Sequence, residues 1–421
     1  MSREATAGAL ERLPALVARL LATNSFYQHK YRDLPELRRL SPAALLARLP
    51  FLTKAELVED QRRNPPFGSN HSAPLARFNR LHRTSGTSGQ PLTWLDTPET
   101  WAWWLDCWQE IYLRAGVRAD DRVFFPFSFG PFIGFWSAFE AAARLGAMAV
   151  PGGGLSTLQR LELLATTQAT VLVATPTYAL HLAEAAREKG IDLASGPVRL
   201  TLHAGEPGAS VPNVKARLEA AWGARAVDHV GATEVGPWGV GCGCEDHVHI
   251  LEGFVAELLP EGGAEARLLE QAQGQAGELV LGNPGRWASP VLRYRTGDRV
   301  AVGEGPCPCG LPGAYLRGGV IGRVDGMVVV RGVNVFPSAI ENLVRGFSEI
   351  GEFEAEVVHE GELAQLLVRI EVAGSAAEEE RVAAALAAEL HRGLSLRPRV
   401  ELVPAGSLPR YELKARRFKL G

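Results

Sequence analysis

The sequence predicts an α/β protein of two domains, a large one built on a parallel sheet and a smaller α+β one after it. Three observations carry this. Between 121 and 230 strand-like apolar runs alternate strictly with helical ones, a rhythm that packs helices on the faces of a parallel sheet. From 250 to 302 short apolar runs are separated by Gly and Pro, the pattern of mostly antiparallel strands. Beyond Gly318-Gly319-Val320-Ile321-Gly322-Arg323-Val324-Asp325-Gly326, read as a boundary loop, the pattern becomes strand, helix, two strands, helix and strand.

Residues 7–22 carry Leu10, Leu13, Val17 and Leu20 at helical spacing, and Thr53 is placed to cap a second short helix. The turn-rich stretch 64–79 delivers the chain to a glycine-bearing loop. A helix over 97–115 follows, its Trp101, Trp104, Leu105 and Trp108 reading as a core stripe. In the alternating region, strands are expected at 123–125, 147–150, 170–174, 198–204 and 226–230. Helices are expected at 135–146, 156–168, 176–189 and 210–222. The small domain should hold strands at 327–331, 353–359, 364–372 and 398–403, with helices at 337–346 and 376–392.

At 421 residues, 46% hydrophobic and 22% charged, the chain is long enough for a large core and a second smaller one. A net charge of −3 with scattered basic residues gives no footprint for nucleic acid. No apolar run reaches the length of a membrane span and the N-terminus lacks an export pattern, so a cytoplasmic protein without a membrane partner is expected. Five cysteines are too few for a disulfide framework at this size.

The loop Arg83-Thr84-Ser85-Gly86-Thr87-Ser88-Gly89-Gln90-Pro91 interleaves hydroxyls with glycines. Its backbone N–H groups can converge on one phosphate, with Ser85, Thr87 and Ser88 as neutral donors. Taken alone, the stretch reads more readily as a flexible Ser/Gly linker. It is not a Walker A loop, because Gln90-Pro91 stands where the Lys-Ser/Thr pair would open a helix. In parallel sheets ligands bind at the carboxyl ends of strands, and two such ends here are polar: His203-Ala204-Gly205-Glu206-Pro207 and Val230-Gly231-Ala232-Thr233-Glu234.

In order, Thr84–Gly89, Gly231–Glu234, Tyr294-Arg295-Thr296-Gly297-Asp298, Gly322-Arg323-Val324-Asp325 and Lys414 form a succession. It resembles the adenylate-forming superfamily of acyl-CoA synthetases, luciferases and peptide-synthetase adenylation domains. Phe51-Leu52-Thr53-Lys54, Pro66-Phe67-Gly68, Thr175-Pro176-Thr177-Tyr178, Gly205-Glu206-Pro207, Arg331-Gly332-Val333-Asn334-Val335-Phe336-Pro337-Ser338 and Leu408-Pro409-Arg410 narrow it. The chain is similar over 50–419 to the phenylacetate-CoA ligase family.

The resemblance implies the adenylate-forming fold, with a large N-terminal α/β domain of parallel sheets and an antiparallel subdomain over 1–324, and a small mobile α+β domain over 325–421. It implies two steps: a carboxylate attacks the α-phosphate of ATP, and the thiol of CoA then captures the acyl group. Ser85, Gly86, Thr87, Ser88 and Gly89 would hold the β- and γ-phosphates. Thr233 would bond the α-phosphate, and Glu234 would bind Mg²⁺, a hard cation suited to carboxylate oxygen. Asp298 would accept from both ribose hydroxyls, with Arg323 near ribose and phosphate. Gly205, Glu206 and Pro207 would wall the adenine, with Asp228 beneath. Lys414 would stabilise charge developing in the first step, and Asp325 would be the hinge about which it is carried. Phe129, Phe132 and Trp136 would form an aromatic slot for an aryl acid, although plain core packing explains them equally well. Gln90, Val230 and Gly326 depart from the family pattern, where a Lys, an aromatic and an acidic residue are usual.

Cys242, Cys244, His247, His249, Cys307 and Cys309 cluster in pairs, a thiolate and imidazole set that matches tetrahedral Zn²⁺; free thiols are the other reading. The resemblance selects Cys242, His249, Cys307 and Cys309 as a structural zinc site in the segment about 242–309. It also carries the expectation of a homodimer. Two alternatives stand beside CoA ligation: adenylation with transfer to a carrier protein, an amine or another acceptor, and a catalytically weak nucleotide-binding homologue.

Overall fold

The structure, a computed structural model, describes residues 4–34, 37, 40–84, 91–127, 129–206, 208–244, 246–324, 328–330, 333–360, 363–394, 396–411 and 417–419. The expected alternation is present. Strands Arg122–Phe125, Met148–Pro151, Val171–Ala174, Leu200–His203 and Arg225–Ala232 pair in parallel, with helices Ile133–Leu145, Thr157–Thr166, Pro176–Glu188 and Pro212–Trp222 between them. All four residues of Val171–Ala174 and of Leu200–His203 are buried, as expected of strands covered on both faces. One face packs Phe124, Leu172, Leu182, Leu218 and Trp222. The other packs Val123, Phe125, Val171 and Val173 with Trp104, Trp108 and Tyr112 of the helix Pro98–Ala115, so the tryptophan stripe is core.

The antiparallel region is not a separate layer. Arg225–Ala232 pairs in parallel with Leu200–His203 on one side and antiparallel with Gly236–Gly241 on the other. Through that strand the sheet continues by His247–Ile250, Tyr315–Arg323, Tyr294–Val302, Ala276–Gly282 and Val255–Pro260 to Arg267–Leu268, twelve strands in all among the described residues. The turn at Ala232 to Gly236 therefore stands where parallel pairing gives way to antiparallel.

Three local expectations are corrected. The stretch over 318–326 is not simply a boundary loop, because the strand Tyr315–Arg323 runs through most of it. Its pairing jumps from Arg299↔Gly322 to Ala301↔Arg317. Gly318 and Gly319, with φ of 70° and 57°, supply the left-handed backbone that this bulge requires. The helix expected over 7–22 is two, Glu4–Glu11 and Leu13–Thr23, because Pro14 has no N–H to continue the first. A hairpin absent from the sequence reading, Arg80–Arg83 with Thr93–Asp96, flanks the glycine loop.

In the C-terminal part, Ile350–Glu360 and Leu363–Val372 pair antiparallel and are flanked by Arg399–Leu402 and Phe418–Lys419. Helices Pro337–Arg345 and Ala376–Leu394 join a third cluster of buried apolar residues that runs from Val330 to Leu396. Among the described residues no helix is long and apolar enough to cross a membrane.

Candidate active site

The glycine loop leaves the sheet in a tied position. Arg83 faces Thr93 at the end of the hairpin, and beyond it Thr84 N donates to Leu92 O at 2.9 Å. The Thr84 hydroxyl accepts a second bond from Leu92 N at 2.9 Å. Arg83 N also donates to Pro131 O at 2.7 Å, which joins the loop's root to the aromatic segment. Ser85, Gly86, Thr87, Ser88, Gly89 and Gln90 lie outside the described residues, as do Pro207, Asp325 and Lys414.

Thr233 and Glu234 occupy the turn after Arg225–Ala232, where parallel pairing ends. Their backbone is gripped from below. Arg286 donates from Nη1 to Thr233 O at 2.7 Å, and Asn283 donates to Val235 O at 2.6 Å. The same Arg286 forms a two-pronged ion pair with Asp96, Nε to Oδ1 at 2.9 Å and Nη2 to Oδ2 at 2.5 Å. Asp96 ends the strand that returns from the glycine loop, so one buried guanidinium holds the loop's hairpin and the Thr233–Glu234 turn in one frame. On the other side, Lys54 Nζ stands 3.5 Å from Glu234 Oε1.

Lys54 is positioned by its neighbours. Thr53 and Glu56 form a reciprocal capping box at the start of the helix Lys54–Arg63. Leu52 exchanges backbone hydrogen bonds with Arg293 and Arg295, pinning this segment to the strand that carries Asp298. The Phe51–Lys54 run thus connects the Glu234 turn with the Asp298 strand.

Asp298 and Arg323 face each other across paired strands, Oδ1 to Nη1 at 2.9 Å, and Arg323 also donates to Thr296 O at 2.7 Å. On the other expected wall, Asp228 is 4% exposed and its carboxylate is filled by donors: Ala209 N and Ser210 N at 2.7 Å and Ser210 Oγ at 2.6 Å. Burial pushes its pKa up, against the opposite pull of these bonds. Asp228 therefore shapes the 205–210 loop. Gly208 allows the close approach, since a Cβ there would lie 2.3 Å from Pro176 Cγ. Glu206 accepts from Thr177 N at 2.8 Å, at the start of the Thr175-capped helix Pro176–Glu188.

Phe129, Phe132 and Trp136 are all partly exposed. Phe129 packs against Trp136 at 4.8 Å and Phe139 at 5.2 Å between ring centres, while Phe132 meets Phe135 at 6.3 Å. Trp136 Nε1 donates to Gly130 O at 2.9 Å, which braces the segment.

The cysteine and histidine residues converge. The ligand atoms of Cys242, His249, Cys307 and Cys309 all lie within 4.8 Å of one another. So do those of Cys242, Cys244, His247 and Cys307. Cys242 and Cys307 sulfurs are 3.8 Å apart, and His249 Nε2 is 3.4 Å from Cys309 Sγ. Backbone N–H groups of Cys244 and Leu311 point at the sulfurs of Cys242 and Cys309, each at 3.4 Å, donors of the kind that support thiolates. The donor set, its spacing and these bonds fit a tetrahedral thiophilic ion.

Sequence reasoning missed Arg286, Asp96 and Asn283 and gave Lys54 no role. Asn283-Pro284-Gly285-Arg286 reads as an ordinary turn, and nothing local points to a partner 190 residues away.

Residues 22–287 match the AMP-binding enzyme family, and residues 332–419 match the AMP-binding enzyme C-terminal domain. Phenylacetate-coenzyme A ligase of Pseudomonas putida is 30% identical over 392 residues, covering 88% of this chain and 83% of that one. A crystal structure of 2-hydroxyisobutyryl-CoA ligase in the postadenylation state, with 2-HIB-AMP bound, is 28% identical and superposes with a TM-score of 0.89, over 97% of this chain and 88% of that one. The same ligase in the thioesterification state, 29% identical, gives a TM-score of 0.72 over 100% of this chain and 90% of that one.

Proposed function

The chain belongs to the AMP-binding enzyme family, and from that premise we propose that it activates an aryl or arylacetic acid with ATP and passes the acyl group to the thiol of CoA. The observation that carries the reading is the shared frame around Arg286. It holds the root of the glycine loop and the Thr233–Glu234 turn together at the end of the parallel sheet, as a site for in-line attack at a phosphate needs.

In the first half-reaction a carboxylate oxygen attacks the α-phosphorus, its new P–O bond forming as the bond to pyrophosphate breaks. Residues 85–89 would hold the departing phosphates through backbone N–H groups, and Thr233 would donate to the α-phosphate. Glu234 would hold Mg²⁺, which when bound neutralises phosphate charge. Lys54, 3.5 Å from Glu234, would add a positive charge beside the same oxygens. Asp298 and Arg323 would bind the ribose, and Gly205 to Pro207 the adenine. Phe129, Phe132 and Trp136 present aromatic surface in a segment, 127–136, whose sequence carries no Arg or Lys, which favours an uncharged ring.

For the second half-reaction the small domain, 325–421, would turn about Asp325 and withdraw Lys414. The higher similarity to the postadenylation ligase supports an arrangement near the end of the first step. Cys242, His249, Cys307 and Cys309 would hold a structural Zn²⁺ that ties the 242–249 segment to the 307–309 turn.

Pyrophosphate exchange with a panel of aryl, arylacetic and short hydroxy acids, followed by product mass with CoA and with carrier-protein pantetheine, tests this. Exchange with an aryl acid and an acyl-CoA product is expected. Exchange with short hydroxy acids alone would overturn the aryl assignment, a product on the carrier protein only would overturn CoA as acceptor, and no exchange with any acid would leave a nucleotide-binding homologue.

A further inference from the structure

Six potential ligands surround the cysteine cluster, more than one tetrahedral ion can use. They divide into two sets of four, Cys242, His249, Cys307, Cys309 and Cys242, Cys244, His247, Cys307, with the Cys242 and Cys307 thiolates common to both. We propose that the cluster binds two Zn²⁺ ions that share these two thiolates, His249 and Cys309 completing one ion and Cys244 and His247 the other. The proposal rests on the zinc reading above and extends it by a second ion.

Local structure brings the terminal ligands in around the two shared thiolates. His247 and His249 are two residues apart on the strand His247–Ile250, so both side chains leave the same face, and both imidazoles pack on Tyr315, at 4.3 and 6.0 Å between ring centres. Each approaches a different sulfur: His249 Nε2 lies 3.4 Å from Cys309, and His247 Nδ1 lies 3.3 Å from Cys307. The segment 242–247 closes on itself, Cys242 N to His247 O at 3.0 Å and His247 N to Cys244 O at 3.1 Å, which brings Cys244 round to the His247 flank. The other imidazole nitrogen of His247 lies 3.9 Å from Asp246 Oδ1, a distance for charge attraction and not for a hydrogen bond.

Charge balance favours two ions. One Zn²⁺ held by Cys242, His249, Cys307 and Cys309 meets three thiolates and leaves one negative charge in a site where Cys307 is 3% and His249 0% exposed, whereas two Zn²⁺ with four thiolates make it neutral. Loading converts four thiols and two neutral imidazoles to ligands and releases four protons to solvent.

Zinc per chain, counted by native mass spectrometry and elemental analysis on full-length protein expressed with zinc, decides it. Two ions in the wild type and one in both Cys244→Ser and His247→Ala are expected. Titration of the metal-free protein with Co²⁺ should break at two equivalents in the thiolate charge-transfer band and release about four protons, a readout that does not need a variant to fold. One ion in the wild type, or two that survive both substitutions, would overturn the second site. No zinc and no Co²⁺ band would overturn the single-zinc reading as well.

Discussion

Arg286 and Asp96 form an ion pair in which neither side chain has any exposure, and the guanidinium lies between the rings of Trp94 and Trp104 at 4.9 and 5.1 Å. Arg286 also reaches Thr233 O, so a residue with no expected chemistry holds two segments of the candidate active site.

Replacing Arg286 by Met should cost about 3–5 kcal/mol, because Asp96 is left as an uncompensated buried charge. The double change Arg286→Met with Asp96→Leu should recover part of that loss. Urea unfolding of the three proteins checks this, and a single variant as stable as wild type would show that the pair is not what holds the frame.

Lys54 lies 3.5 Å from Glu234 Oε1, where it would supply the positive charge that the family pattern carries at position 90. Lys54→Met should therefore raise the KM for ATP in pyrophosphate exchange about 10-fold or more, the effect of losing one charged hydrogen bond. Gln90→Lys should lower that KM in the Lys54→Met background more than in the wild type. If Lys54→Met leaves the KM where it was, Lys54 is only an ion-pair partner of Glu234.

Among the described residues several hydrogen bonds join the small domain to the large one, Arg217 Nη1 to Ile350 O at 3.3 Å and Asn213 N to Asn342 Oδ1 at 3.2 Å among them. Arg417 donates to Thr177 Oγ1 at 3.0 Å while anchored to Glu352, and Asn213 Nδ2 donates to Asn342 O at 2.8 Å. Removing the Asn213 side-chain bond with Asn213→Ala should weaken this arrangement by about 1 kcal/mol, a shift of roughly fivefold in population. If the domain turns between half-reactions, thioester formation from preformed acyl-adenylate should speed up and pyrophosphate exchange should slow down. Equal change in both rates would contradict a turning domain.

Burial pushes both His203 and His229 down to about 4 from an ordinary 6.5. His203 is held neutral between Ala174 O at 3.2 Å and Thr201 Oγ1 at 2.8 Å. The unfolded chain takes up these protons below pH 6.5 and the folded chain only near pH 4, so stability falls with pH across that window. Asp228 and Glu257, raised by burial, act in the opposite sense, which makes a variant the cleaner readout. The drop in Tm between pH 7 and pH 5 should be smaller in His203→Gln than in the wild type, and an equal drop would count against the assignment.

Much of the fold was legible because its signals are local. Val171–Ala174 and Leu200–His203 read as strands from apolar runs bounded by helices, and Thr53 announced the helix that it caps. The hairpin around the glycine loop was not legible. Arg80-Leu-His-Arg and Thr93-Trp-Leu-Asp are four residues each, and only their pairing and the burial of His82 and Trp94 make them strands. The Gly318-Gly319 pair misled for a related reason: glycine marks left-handed backbone, and whether that is a loop or a bulge depends on the strand beside it.

By itself the sequence determined what each short stretch could do: alternate strand and helix, wrap an anion with Ser and Gly, offer a carboxylate at Glu234 and at Asp298, and present thiols and imidazoles in pairs. Only the tertiary structure decided which of these meet. Lys54 beside Glu234, Arg286 across to Asp96, and six cysteine and histidine side chains sorted into two overlapping sets all join residues far apart in the chain. Such contacts are set by sheet order and burial, which no local pattern encodes.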